Sequence, residues 1–153
     1  MTTLTLTTVI HASIGTCFDL ARSIDLHKES MLQSNEKAVG GRMTGLIEEG
    51  EFVTWEAIHF FVRQRLTSKI IKMEIPFYFK DVMIEGAFVS MEHEHYFQSI
   101  KGVTTMTDQF YYKVPFGLIG KVFDFFILKK YMIKILTIRN EAIRKSAEKF
   151  ISS

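Results

Sequence analysis

His93-Glu94-His95 places two imidazoles at i and i+2, so in an extended strand both rings stand on one face. His59 falls on the apolar face of another strand-like stretch. Asp108 lies on the stretch after the two histidines, where antiparallel pairing would carry it towards His95. These residue types suit three chemistries. Three histidines and a carboxylate can ligate zinc or a similar metal. His95 and Asp108 can serve as an acid–base pair for enolisation or dehydration. Histidines hydrogen-bonded within a half-buried sheet need do neither, and Asp108 is then their cross-strand acceptor. Two histidines at a spacing of two do not specify a metal, so no metal and no cofactor are assigned. Other reactive patterns are missing. There is no Gly-x-Ser-x-Gly, Cys17 has only His11 near it in sequence, and no glycine run at phosphate-loop spacing precedes a Lys-Ser/Thr pair.

The elements that would position these residues follow from periodicity. Leu4 to Ile10 alternates Thr with Leu, Val and Ile and reads as a strand. Ser13 is a plausible N-cap for a short helix over Ile14 to Ala21, and Asp25 to Leu32 reads as a second short helix. Glu36 to Gly50 carries Gly40, Gly41, Gly45 and Gly50, which suit bulges and bends in a sheet that must curl, with Glu48 to Glu51 as a hairpin turn. Strands then follow over Glu51–Phe61, Val62–Met73, Phe77–Glu85, Phe88–Ile100 and Val103–Val114, joined by short turns, the pattern of an up-and-down antiparallel sheet. Val53, Trp55, Ala57, His59 and Phe61 share one face. Met91, His93, His95 and Phe97 share another, as do Met106, Asp108, Phe110 and Tyr112. These faces are taken as inward, an apolar lining with a few polar groups that has the composition of a ligand pocket.

Phe116 to Phe150, about 35 residues without proline, reads as one helix of roughly 50 Å. At 100° per residue, Leu118, Val122, Phe125, Met132, Leu136, Ile143 and Phe150 form its apolar stripe, widened by Phe126 and Ile133. Lys129 falls in the middle of that stripe, either snorkelling past the sheet rim or projecting a cation inward, and Arg139 lies at its edge. Phe123, Ile127 and Ile138 sit off the stripe, which suggests a partner or homodimer contact through this helix. The expected architecture is α+β: a curved antiparallel sheet of about seven strands wrapped around a long C-terminal helix, with two short helices after the first strand. All 153 residues fit one domain.

The bulk composition excludes several classes. A net charge of +2 is too small to argue for nucleic acid. A single cysteine rules out an internal disulfide and suits a reducing compartment. Met1 to Thr8 lacks the basic start and apolar run of a signal peptide. Lys121, Asp124, Lys129, Lys130 and Lys134 interrupt the most apolar window, so no transmembrane segment is expected and the expected location is cytoplasmic.

One resemblance covers nearly the whole chain. Gly45-Leu46-Ile47, Gly50 to Ala57 with Trp55, Arg63 to Thr67, Gly86-Ala87-Phe88, His93 to Phe97, Thr105 to Asp108 and Pro115 to Gly120 occur in an order and spacing that resemble the SRPBCC (START-like, birch-pollen-allergen-like) superfamily. The likeness is to its bacterial branch of ligand-binding proteins, some labelled polyketide cyclase-like or cell-division-inhibitor-like. It implies a helix-grip fold with a hydrophobic cavity between sheet and helix that takes lipids, polyketides or similar small molecules. It implies no reaction and carries over no catalytic residue. The expected lining is Trp55, His59, Phe79, Met91, His95, Met106, Phe110, Phe125, Met132 and Leu136, with His59, His95 and Asp108 orienting a polar tip of the ligand. The leading expectation is a carrier or sensor of a small hydrophobic ligand. A cyclase or dehydratase using His95 and Asp108, and a protein- or membrane-interaction module, are the alternatives.

Overall fold

The computed structural model describes residues 1–149. In chain order the elements are β1 (Thr2–Ile10), α1 (Ile14–Ala21), α2 (Ile24–Ser30), a 3-10 turn (Leu32–Ser34), β2 (Lys37–Gly41), β3 (Phe52–His59), β4 (Val62–Glu74), β5 (Tyr78–Glu85), β6 (Ser90–Ile100) and β7 (Val103–Lys113). The C-terminal helix follows in three parts: α3 (Gly117–Phe123), a π turn (Asp124–Leu128) and α4 (Lys129–Lys149). The strands form one antiparallel seven-stranded sheet in the order β1-β7-β6-β5-β4-β3-β2. Its concave side holds α4, which packs against β1, α1 and α2. This is the expected architecture.

Local chemistry explains most boundaries. Ser13 and Ser23 each accept a backbone N–H with the side chain, from Thr16 and Leu26, which fixes the starts of α1 and α2. Register slips between Ala38 and Gly40 in β2 and at two places between β4 and β5 bend the sheet. The expected hairpin at Glu48–Glu51 is instead the end of a longer connection between β2 and β3. Arg42 clamps Glu51 with two hydrogen bonds of 3.0 Å, and Ile47 is buried in the core.

The core has two parts. Ile10, Phe18, Phe79, Phe97, Met106 and Ile143 belong to one, and Leu4, Met91, Phe110, Tyr112 and Leu136 to the other. Phe18 meets Phe79 and Phe97 edge-on, with centroids 5.5 and 5.2 Å apart.

The long helix departs from a single α phase. In the π turn the Lys129 N–H reaches back to the Asp124 carbonyl, five residues away. Five residues wound this way lag an α-helix by about a quarter turn. Asp124 swings inward, where the Tyr112 and Thr2 hydroxyls both donate to its carboxylate. Burial and that carboxylate push the Tyr112 phenol pKa up. Leu118, Val122 and Phe125, expected on the inward stripe, face outward instead, and Lys129 is exposed. Phe123 and Ile127 are exposed as expected, whereas Ile138 is half-buried. Phe150, the last stripe residue, lies outside the described residues. Among the described residues no helix is long and apolar enough to cross a membrane.

Gly120 fixes where the helix leaves the sheet. A Cβ there would stand 1.8 Å from the Pro115 carbonyl oxygen, a backbone atom held at the turn into α3. Gly120→Ala is expected to cost about 1–3 kcal/mol through that overlap. Urea denaturation checks it, and an unchanged midpoint would show that the turn can yield.

Candidate functional site

Between the concave sheet face and the helices lies a cavity of about 510 Å³. That is within the range of small-molecule sites, roughly 300–1,000 Å³. Trp55, His59, Phe79, Met91, His95, Phe110, Met132 and Leu136 line it. Three residues expected beside them are placed elsewhere. Met106 is fully buried in the core and has no face on the cavity. Asp108 is also fully buried, behind the histidines. Phe125 is 71% exposed, because the π turn rotates it away from the sheet.

Most of the lining is apolar; Asp81, His93, His95 and Arg139 gather on one wall, and Arg22, His27 and Glu36 line the cavity elsewhere. Strand register sets Asp81 opposite His93, Phe79 opposite His95 and Asp108 opposite His95. Asp108 takes its hydrogen bond from the diagonal neighbour, however: His93 Nε2 is 2.8 Å away. His95 Nε2 bonds Asp81 at 3.0 Å. His95 Nδ1 lies 3.1 Å from Asp108 Oδ1, but without the alignment of a hydrogen bond, so this buried nitrogen has no hydrogen-bond partner among the described residues. The His93 and His95 rings lie 3.8 Å apart, and Phe79 stacks on the far side of His95 at 4.0 Å. From α4, Asn140 Nδ2 donates to Asp108 at 2.7 Å, and Arg139 Nη1 lies 3.5 Å from Asp108 and 3.1 Å from Asn140 Oδ1. Arg139 Nη2 donates to the Ala21 carbonyl at 3.0 Å. Helix and sheet are thus pinned together through one carboxylate.

Burial tunes these groups in opposite directions. It pushes the His93 imidazole down to about 4, with His95 adding to the fall and Asp108 opposing it. Burial pushes the Asp81 and Asp108 carboxyls up, but the hydrogen bond each accepts, Asp81 from His95 and Asp108 from His93, and the nearby Arg139 charge outweigh it. Asp81 is held below the usual range and Asp108 well below it. The wall therefore presents a neutral His93 imidazole, the Asp81 carboxylate and the Arg139 guanidinium, with the Asp108 carboxylate buried behind them.

His59 is not part of this group. Its Nδ1 pairs with the Tyr131 hydroxyl at 2.6 Å, and burial lowers its pKa. The three-histidine set suggested by the sequence does not assemble. Asp81, His93 and His95 do offer ligand atoms within 4.8 Å of one another, a two-histidine, one-carboxylate set. A cation there would have to displace the bond between His95 and Asp81. Trp55 stands on another wall, its indole against the His27 ring at 4.3 Å, and His27 is bonded to Glu36 at 2.7 Å.

The sequence pattern does not single out Asp81 or Asn140, and it marks Arg139 only as an edge residue. Asp81 shares its strand parity with Phe79, a readable signal. Asn140 gives none, since nothing in the helix pattern marks a polar residue whose partner is on a distant strand.

No family model matches this chain, and no curated protein does. Solved structures match it along nearly its full length. A protein from Thermus thermophilus shares 14% identity with a TM-score of 0.73, covering 95% of this chain and 99% of its own. A START superfamily protein from Mycobacterium smegmatis shares 11% identity with a TM-score of 0.72, covering 97% and 98%. The ginseng major latex-like protein from Panax ginseng shares 12% identity with a TM-score of 0.67, covering 95% and 97%. The chain has the helix-grip fold of these structures. In this helix-grip fold the cavity lies where the sheet curls around α4, and its polar wall is built where β5, β6 and β7 meet Arg139 and Asn140.

Proposed function

We propose that the protein binds a small, mostly apolar molecule carrying one polar end, as a carrier or sensor. The observation that carries this reading is the cavity: about 510 Å³ of largely apolar lining, with Asp81, His93, His95 and Arg139 grouped on one wall. Phe79, Met91, Phe110, Met132 and Leu136 would hold the hydrocarbon body, and Asp81, His95 and Arg139 would meet the polar end. The reading includes a cytoplasmic location and no nucleic-acid partner.

An enzyme of the cyclase or dehydratase kind is supported less well. Asp108 has no surface on the cavity and is engaged by His93 and Asn140, so it could act on a substrate only through the histidines.

Trp55 is the single tryptophan and lines the cavity, so its emission reports occupancy. Delipidated protein titrated with a long-chain fatty acid, and with an apolar fluorescent probe, should show saturable changes in that emission. Ala57→Phe, which fills part of the lining, should weaken binding about tenfold or more with the far-ultraviolet circular dichroism unchanged. Absence of saturable binding, together with no co-purifying mass in native mass spectrometry, would remove this reading.

A further inference from the structure

The first half of the C-terminal helix has an unusual surface. Phe116, Leu118, Ile119, Val122, Phe125 and Phe126 are all more than half exposed, Phe116 at 82% and Ile119 at 80%. A contiguous apolar face of this kind is seldom left open without a use.

The β3–β4 hairpin extends it. Its two-residue turn, closed by the pairing of His59 with Val62, consists of Phe60 and Phe61. Both have positive φ, 51° and 65°, as a type I′ turn requires. Asn-Gly favours that geometry, while bulky side chains are strained in it. Phe61 is nevertheless fully exposed. Strain and exposure at the same aromatic pair both run against stability, which points to a role for the side chains. Phe60 meets Phe123 at 5.6 Å and Tyr131 at 4.6 Å, so the hairpin tip and the helix make one surface.

Charge decides what covers it. Between Phe116 and Lys134 the only acid, Asp124, is buried under Tyr112 and Thr2, while Lys121, Lys129, Lys130 and Lys134 are exposed. Among the described residues no carboxylate forms an ion pair with these lysines. A second copy docked on the same face would bring lysines against lysines. An anionic bilayer offers both an apolar interior and negative headgroups.

We infer that this face, α3 with the π turn and the Phe60–Phe61 hairpin tip, docks on an anionic lipid membrane surface. Phe60, Phe116 and Phe123 both line the cavity and face solvent, so the cavity mouth opens on the docking face. Docking would present that mouth to the lipid. The inference does not depend on ligand binding, because it is tested on ligand-free protein.

Co-sedimentation of that protein with vesicles of phosphatidylcholine and phosphatidylglycerol, against pure phosphatidylcholine, should show about tenfold or greater preference for the anionic vesicles at low salt, fading at high salt. Phe125→Asp with Phe126→Asp should abolish binding to both. Lys129→Glu with Lys130→Glu should remove the preference while the protein stays folded. No binding to anionic vesicles at low salt overturns the inference. So does equal, salt-independent binding to both vesicle types, or a dimer in light scattering that Phe125→Asp converts to monomer.

Discussion

Replacing Asp108 with alanine is expected to destabilise the protein by about 3–5 kcal/mol, the loss typical of removing one partner from a buried charged network. Asp108 is fully buried and accepts from His93 at 2.8 Å and Asn140 at 2.7 Å, with Arg139 Nη1 at 3.5 Å. Alanine would leave the buried Arg139 guanidinium with only neutral acceptors, at Ala21 and Asn140, and would strand two N–H donors. Asp108→Asn keeps the volume and one acceptor oxygen but removes the charge, so it should fall between alanine and wild type. Urea denaturation of the two variants, with Arg139→Met and the Asp108→Ala/Arg139→Met double variant, completes a cycle. The double variant should recover part of the alanine loss, since methionine leaves no charge to satisfy. A loss under about 1 kcal/mol for Asp108→Ala would mean that water replaces the carboxylate and that the network does not pin α4 to the sheet.

The sheet is largely legible in the sequence because its strands obey a period of two. Val53, Trp55 and Ala57 are buried on β3, and Met91, His93, His95 and Phe97 on β6, as alternation requires. Hairpin register correctly sets Asp108 opposite His95. The diagonal bond to His93 is not foreseeable, because side-chain rotamers choose among near neighbours that register leaves equivalent.

The helix is less legible. A fixed 100° per residue carries no sign of the π turn, so it places Phe125 inward and leaves Asp124 without a role. The buried Arg139–Asn140 pair escapes for another reason. Polar helix residues are expected outside unless a buried partner is known, and theirs is 31 and 32 residues away on β7. The apolar first half is visible as excess hydrophobicity. That the excess faces solvent depends on Asp124 taking the inward position instead.

The same network should make the protein acid-labile in a window well above the usual carboxylate range. The folded His93 pKa is pushed to about 4, chiefly by burial, against an unfolded value of about 6.5. Above pH 6.5 the imidazole is neutral in both states and contributes nothing. As pH falls through 6.5 the unfolded chain takes up a proton that the folded imidazole refuses. Stability then declines until the folded ring also protonates near pH 4, a total of roughly 3 kcal/mol, since each pH unit between the two values contributes about 1.4 kcal/mol. Asp81 and Asp108 act lower. Their folded values are depressed, so the stability they supply is present above about pH 4 and is lost only as pH drops below it. His59, also lowered by burial, adds to the loss in the upper window and needs its own control. Urea midpoints for wild type should therefore fall between pH 7 and about pH 5. His93→Gln keeps a donor for Asp108 but cannot titrate, so most of that slope should vanish, and His59→Gln should remove only a minor part. If His93→Gln retained the wild-type slope, the proton taken up on unfolding would belong to another group, and the neutral imidazole on the cavity wall would have to be reassigned.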